Sequence, residues 1–260
     1  MSDVYYTGNG IYDYLTNSAN KDDFFWTSGH LWLLVYGDDL GPKVLTVASG
    51  NRLDANTTAE ERAAAHVACQ ITQGTNIPVN FVRFGPDKHV ETVRYCEPGM
   101  KCIPEITSEE LKNRFARYGL KMNDIMTHKS INDRSSSPFH DWQRKNMGDS
   151  VVVADIDLVR YRNNVPVEII ELKRSYIELE RWEPYRQDYK NFILLSKLSH
   201  ARGLQFYIVY NKRVKTPFFD DVSRLKIFEF DDRLQQPCRM AGYRTIGQFA
   251  ESTAGERSRI

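Results

Sequence analysis

The feature that most restricts this 260-residue chain is a pair of apolar runs, 151–161 and 167–173, separated by Arg162-Asn163-Asn164. Asparagine tolerates the left-handed backbone of a tight reversal, so the runs predict two strands joined as a hairpin. Helical spacing of Tyr185, Tyr189, Phe192, Leu195 and Leu198 predicts a helix over 182–202, stopped by Gly203. The almost wholly apolar run 204–210 reads as a strand covered on both faces, and the alternating run 224–230 as an edge strand. Strand, strand, helix, strand, strand is an α/β pattern.

The first half alternates similarly. Runs at 30–36 and 43–48 predict strands across a tight connection. A capping box at Thr57/Glu60 or Thr58/Glu61 opens a helix to about Gln73, strands follow at 78–84 and 89–95, and Thr107–Glu110 opens a helix ending near Gly119. No repeat is visible. Residues 121–140 are polar and read as a linker between an α/β region of unassigned role, 1–125, and a second region, 138–260. Hydrophobic residues at 41% suffice for a real core and exclude intrinsic disorder. No run of about 18 apolar residues and no basic-then-apolar leader occurs, so the reading is a soluble cytoplasmic protein without a membrane role. Four cysteines are too few for a disulfide scaffold, and reduced thiols are expected. The first 120 residues carry 11 Lys and Arg against 15 Asp and Glu, whereas the remainder carries 24 against 19. The second half is therefore the better match for a polyanion.

Chemistry concentrates in the hairpin. Asp157 interrupts an apolar strand, and Glu171-Leu172-Lys173 lies on the returning one. Alternate side chains of a strand share a face, which groups Glu171 with Lys173 and turns Leu172 into the core. A turn centred near Asn164 puts Asp157 opposite Glu171, with Cβ atoms about 5 Å apart. Two carboxylates that close repel each other, and a divalent cation relieves the conflict. Mg²⁺ takes hard oxygen ligands such as Asp157, Glu171 and the carbonyl of Leu172. It lowers the pKa of bound water, and Lys173 is placed to orient that water or to stabilise charge at phosphorus.

Asp157, followed by Glu171-Leu172-Lys173 on the next strand, a helix and an apolar strand, resembles the PD-(D/E)xK nuclease superfamily over roughly residues 140–215. The resemblance implies a restriction-endonuclease-like mixed sheet flanked by helices and dependence on Mg²⁺ or Mn²⁺. It implies metal ligands at Asp157 and Glu171, a catalytic lysine at Lys173 and a polar residue on the following helix. Gln187 matches that last position, with Lys190 one turn on. Dimers are common in the family. Ile156 stands where the family motif has proline. A further glutamate is expected from a preceding helix, but 140–147 offers only Asp141 and Gln143. Glu61 or Glu110 serves only if both halves form one sandwich.

The expected activity is hydrolysis of phosphodiester bonds in DNA, with RNA second. The alternative is a catalytically silent module of the same fold that binds nucleic acid or a partner protein; a third reading is a structural α/β protein. Arg174, Arg186 and Lys190, interleaved with Trp182, Tyr185 and Tyr189, suit a nucleic-acid strand, as does the cluster Lys212-Arg213-Lys215 in a loop after the apolar strand. An amphipathic helix with snorkelling cations explains the first group equally well. Asp155 and Glu168 read as solvated charges. The scattered histidines make no metal motif, and no phosphate-binding glycine loop exists.

Overall fold

The long run 151–161 is not one strand. In a computed structural model it breaks at Ile156-Asp157, and its two parts enter different sheets. The structure describes residues 8–27, 29–87, 89–97, 102–127 and 137–252. Along the chain lie α1 (Gly10–Thr16), β1 (Phe24–Phe25), β2 (Leu31–Asp38), β3 (Gly41–Ser49), α2 (Ala59–Thr72), β4 (Val79–Arg83), β5 (Thr92–Cys96), β6 (Ile103–Thr107) and α3 (Ser108–Arg117). Then come α4 (Pro138–Asn146), β7 (Val152–Asp155), β8 (Leu158–Arg162), β9 (Val165–Ser175), α5 (Tyr189–Arg202), β10 (Gln205–Lys215), β11 (Phe218–Phe230), β12 (Cys238–Thr245) and α6 (Ile246–Glu251).

These two series have the same order of nine elements, a repeat that the sequence conceals. The sheets repeat as well. One runs β6-β5-β4-β3-β2-β7 and the other β12-β11-β10-β9-β8-β1. In each, the third and fourth strands counted from either end are the parallel pair, joined by a 14-residue helix, and the other neighbours are antiparallel. In each, the last strand ends on a threonine, Thr107 or Thr245, whose hydroxyl caps the next helix. The leading arms are exchanged: β1 pairs with β8, and β7 with β2.

The chain accordingly divides into two compact units, Thr27–Asp155 and Gly8–Trp26 with residues 156–252. The division thus falls later than the expected linker, of which residues 128–136 lie outside the described residues. Phe139, Trp142, Met147 and Val151 bury into one cluster with Trp32, Val82 and Phe115, which ties 138–155 to the first unit. Cys96 and Cys102 form a disulfide, contrary to the expectation of reduced thiols throughout; Cys69 and Cys238 are free. No helix among the described residues is long and apolar enough to cross a membrane.

Both units are mixed α/β with a mixed sheet and flanking helices. In the second, α5 covers one face, where Phe192 meets Phe206 and Phe230. On the opposite face Arg160 lies between the rings of Phe24 and Phe249 and faces Glu168 at 3.5 Å. Glu168 is therefore a buried charge rather than a solvated one, because β1 and α6 cover it. The run 224–230 is likewise not an edge, since β12 pairs outside it.

The first unit closes around Glu61 and Arg83, whose side chains are fully buried and 2.5 Å apart. Ser49, Asn51 and the Thr58 N–H also donate to Glu61. Burial pushes this carboxyl up, but those hydrogen bonds outweigh it and hold the pKa at about 2. An unfolded glutamate titrates near 4.5, so the stabilisation is complete above that pH and is lost as pH falls towards 2. We expect Glu61→Gln to cost about 3 kcal/mol at neutral pH, because it leaves Arg83 buried without its counter-charge. In urea unfolding the gap between variant and wild type should narrow from pH 4.5 to 2; a gap independent of pH refutes the assignment.

Candidate active site

Leu158 pairs with Ile170 and Val159 with Ile169. Extending this register by one residue puts Asp157 opposite Glu171, the pairing expected, although the turn alone, with Arg162 opposite Val165, would oppose Asp157 to Ile170; a bulge between Arg160 and Tyr161 supplies the shift. The turn is Asn163-Asn164, both at positive φ (52° and 62°). Asp157 precedes β8 instead of interrupting a strand, and its Oδ2 accepts from the Leu172 N–H at 2.7 Å. In a strand the N–H and C=O of one residue point the same way, so the Leu172 carbonyl is directed to the same edge.

Lys173 is the centre of the site. Its Nζ lies 2.7 Å from Glu171 Oε1, 3.9 Å from Asp188 Oδ2 and 5.5 Å from the centroid of the Phe192 ring. Glu171 is buried, and Lys173 and Asp188 are about a quarter exposed. Burial alone lowers the lysine pKa, but the charges of Glu171, Asp157 and Asp188 outweigh it and raise the pKa above the ordinary value. Lys173 is therefore a cation at neutral pH, suited to holding negative charge and unsuited to taking up a proton.

Asp188 is the residue that sequence reasoning missed. Gln187, the expected polar partner, is exposed on a 3-10 turn, Arg186–Asp188, and α5 begins only at Tyr189. Asp188 occupies the N-cap position of α5 but makes no capping hydrogen bond; its carboxylate faces Lys173. The connection that delivers it is held from below. The buried Lys226 donates to the carbonyls of Glu180 and Trp182 and to the Glu183 carboxylate. Trp182 stacks on Tyr210 at 4.2 Å, and the Tyr210 hydroxyl donates to the Ile177 carbonyl. Lys226 lies 43 to 46 positions and Tyr210 33 positions from the connection residues that they hold, which is why periodicity alone extended the helix back to Trp182.

The other expected acids are engaged within the first unit. Glu61 grips Arg83, Glu110 pairs with Arg114, Asp141 pairs with Arg144, and Gln143 donates to the Tyr36 hydroxyl. Asp155 is exposed in β7, opposite Leu34. Of the basic residues, Arg174 and Arg213 both bind Asp220, at 2.7 and 3.3 Å, and Lys212 binds Glu178 at 2.5 Å. Lys212, Arg213 and Lys215 lie within β10 rather than in a loop after it. Arg186 and Lys190, on either side of Asp188, are exposed.

Among the described residues, the one group of three side chains with ligand atoms all within 4.8 Å is His200, Asp231 and Asp232. Asp231 is gripped by the Arg233 guanidinium, which with the other neighbours holds its pKa at about 2, and Asp232 accepts from Ser196. This cluster ties the end of α5 to the turn after β11, and its acids already have partners. No protein-family model, curated protein or solved structure matches this chain.

Because Glu171, 2.7 Å from the ammonium, raises the Lys173 pKa more than Asp157 or Asp188 does, Glu171→Gln should lower it. NMR titration of ¹³C-labelled lysine methylenes measures this. An unchanged Lys173 midpoint refutes the electrostatic account of the site.

Proposed function

We propose that the second unit is a metal-dependent nuclease that hydrolyses phosphodiester bonds, in DNA before RNA. One observation carries this reading: three carboxylates, Asp157, Glu171 and Asp188, act on the ammonium of one partly buried lysine. Carboxylates gathered on one face suit a divalent cation. The available donors, the carboxylates of Asp157 and Glu171 and the carbonyl of Leu172, are all hard oxygens, which fits Mg²⁺ or Mn²⁺. When bound, the ion would supply an acidified water and neutralise charge on the phosphate.

The chain's own groups do the rest. Asp157 is held at one carboxylate oxygen by the Leu172 N–H, so its position does not depend on a ligand. Lys173, kept cationic by its neighbours, orients the attacking water and offsets charge developing at phosphorus. Asp188, 3.9 Å from the same ammonium, is a second anchor that keeps it on the site face. Arg186 and Lys190 are the exposed cations placed to meet the phosphate backbone, whereas Arg174, Lys212 and Arg213 are engaged in ion pairs. The strand, strand, helix, strand core and a sheet covered on both faces suit a restriction-endonuclease-like fold.

The silent-module reading draws on that engagement of three of five basic residues. A cleavage screen over supercoiled plasmid, single-stranded DNA and RNA, with Mg²⁺ or Mn²⁺, decides between the two. We expect divalent-dependent cutting, abolished by chelation and reduced about 100- to 1,000-fold by Lys173→Ala, with the unfolding midpoint retained. Binding without cutting under every divalent ion favours the silent module.

A further inference from the structure

We propose that Tyr12, on the exchanged N-terminal arm, is a positioning residue for Asp157. The inference rests on the reading in which Asp157 holds a hard divalent ion. The Tyr12 hydroxyl donates to the Asp157 carbonyl oxygen at 2.9 Å, across 145 positions of sequence. Asp157 stands just before β8, so this bond fixes its backbone where the strand has not yet begun, while the Leu172 N–H fixes its carboxylate. The acid is thereby held at both ends.

The arm is seated firmly enough for the task. Tyr12 is buried, and its ring stacks on Trp26 at 5.4 Å with planes 4° apart. The Gly10 N–H donates to Asp220 at 3.2 Å, and Arg174 donates to the Gly8 carbonyl at 2.7 Å. A Cβ at Gly10 would stand 2.9 Å from the Asp220 Cβ and 3.0 Å from a Val222 methyl, so only glycine allows this approach. Downstream, Phe24 and Phe25 pair with Arg160 and Val159 of β8, the strand that follows Asp157. Arm, strand and acid are one construction. Asp220 serves twice within it, as the anchor for Gly10 and as the counter-charge that takes Arg174 and Arg213.

Groups beside a metal ligand matter because they set its orientation, and their loss weakens metal affinity about 10- to 100-fold. Tyr12→Phe removes the hydroxyl and keeps the stacked ring. Three quantities are measured on the full chain: amide hydrogen exchange at Leu172, the Kd for Mn²⁺ by calorimetry, and the thermal midpoint. The expected result is at least tenfold faster Leu172 exchange, a Kd at least tenfold weaker and a midpoint that barely moves. Thr16→Val is the control, since it removes a hydrogen bond to the Tyr12 carbonyl within α1 and touches nothing at Asp157. It should leave Leu172 exchange and Mn²⁺ binding unchanged. The proposal is overturned if Tyr12→Phe leaves both quantities at wild-type values. It is equally overturned if Thr16→Val reproduces the loss, because the arm would then act only through general stability. If wild type takes up no Mn²⁺ although Leu172 exchange responds to Tyr12→Phe, the metal reading fails and the role towards an ion fails with it. An unchanged Leu172 together with intact Mn²⁺ binding sinks the positioning role alone.

Discussion

One backbone register, Leu158 opposite Ile170, brings the acids together. Side chains alternate, so a slip of one residue would send Asp157 to the opposite face of the sheet from Glu171 and Lys173. Three devices set this register. The reversal at Asn163-Asn164 pairs Arg162 with Val165, and a one-residue bulge between Arg160 and Tyr161 then shifts the ladder so that Arg160 meets Glu168 and Leu158 meets Ile170. Asp157 takes the Leu172 N–H, a bond available only when the strands are aligned in this way. On the reverse face Arg160 and Glu168, directly paired across the same ladder, meet as buried opposite charges. A buried ion pair adds little net stability but strongly penalises arrangements that separate its members. Here it acts as a register lock behind the site.

The two units handle buried acid differently, and the difference shows why one is a candidate centre. Glu61 has five donors: two nitrogens of Arg83, the Ser49 hydroxyl, Asn51 and the Thr58 N–H. Its oxygens are saturated, and nothing further is called for. In the second unit three carboxylates, Asp157, Glu171 and Asp188, all act on the ammonium of Lys173. Both arrangements lie on the face covered by the crossover helix, towards the carboxyl ends of the parallel strands, where α/β sheets bind ligands. The same topological position is closed by a matched ion pair in one unit and left acid-rich in the other.

What was legible in the sequence was local. The hairpin, the shared face of Glu171 and Lys173 and the capped starts of α2 and α3 depend on residues close together in the chain, whereas the bulge between Arg160 and Tyr161 that completes the register left no mark in the sequence. Where elements go afterwards was not legible. Nothing in the run 151–161 marks Ile156 as the point where β7 leaves for the first sheet, because both parts are apolar. Glu168 looked solvated because parity assigned it to the face away from the site; the β1 and α6 residues that cover it lie far away in sequence. Asp188 stayed hidden because Pro184, Lys226 and Trp182 reshape what reads as the first turns of a helix. The repeat was invisible because the matching elements share order and pairing, while the capping threonines Thr107 and Thr245 are too common a signal to reveal it.

The exchanged arms make each unit a product of distant parts of the chain. The second unit needs Gly10 to reach Asp220, 210 positions away, and Tyr12 to reach Asp157, 145 away. The first needs β7 to come back to β2. Closing such loops costs entropy before any contact rewards it. Had β1 stayed with β2, each unit could have formed from one continuous half. The exchange also forces the chain to break at Ile156-Asp157, for β7 and β8 belong to different sheets. That break places Asp157 outside the ladder, where its carboxylate can turn to Leu172 and its carbonyl to Tyr12. The acid at the head of β8 is thus a consequence of the swap, and the arm that the swap delivers is the element that holds it.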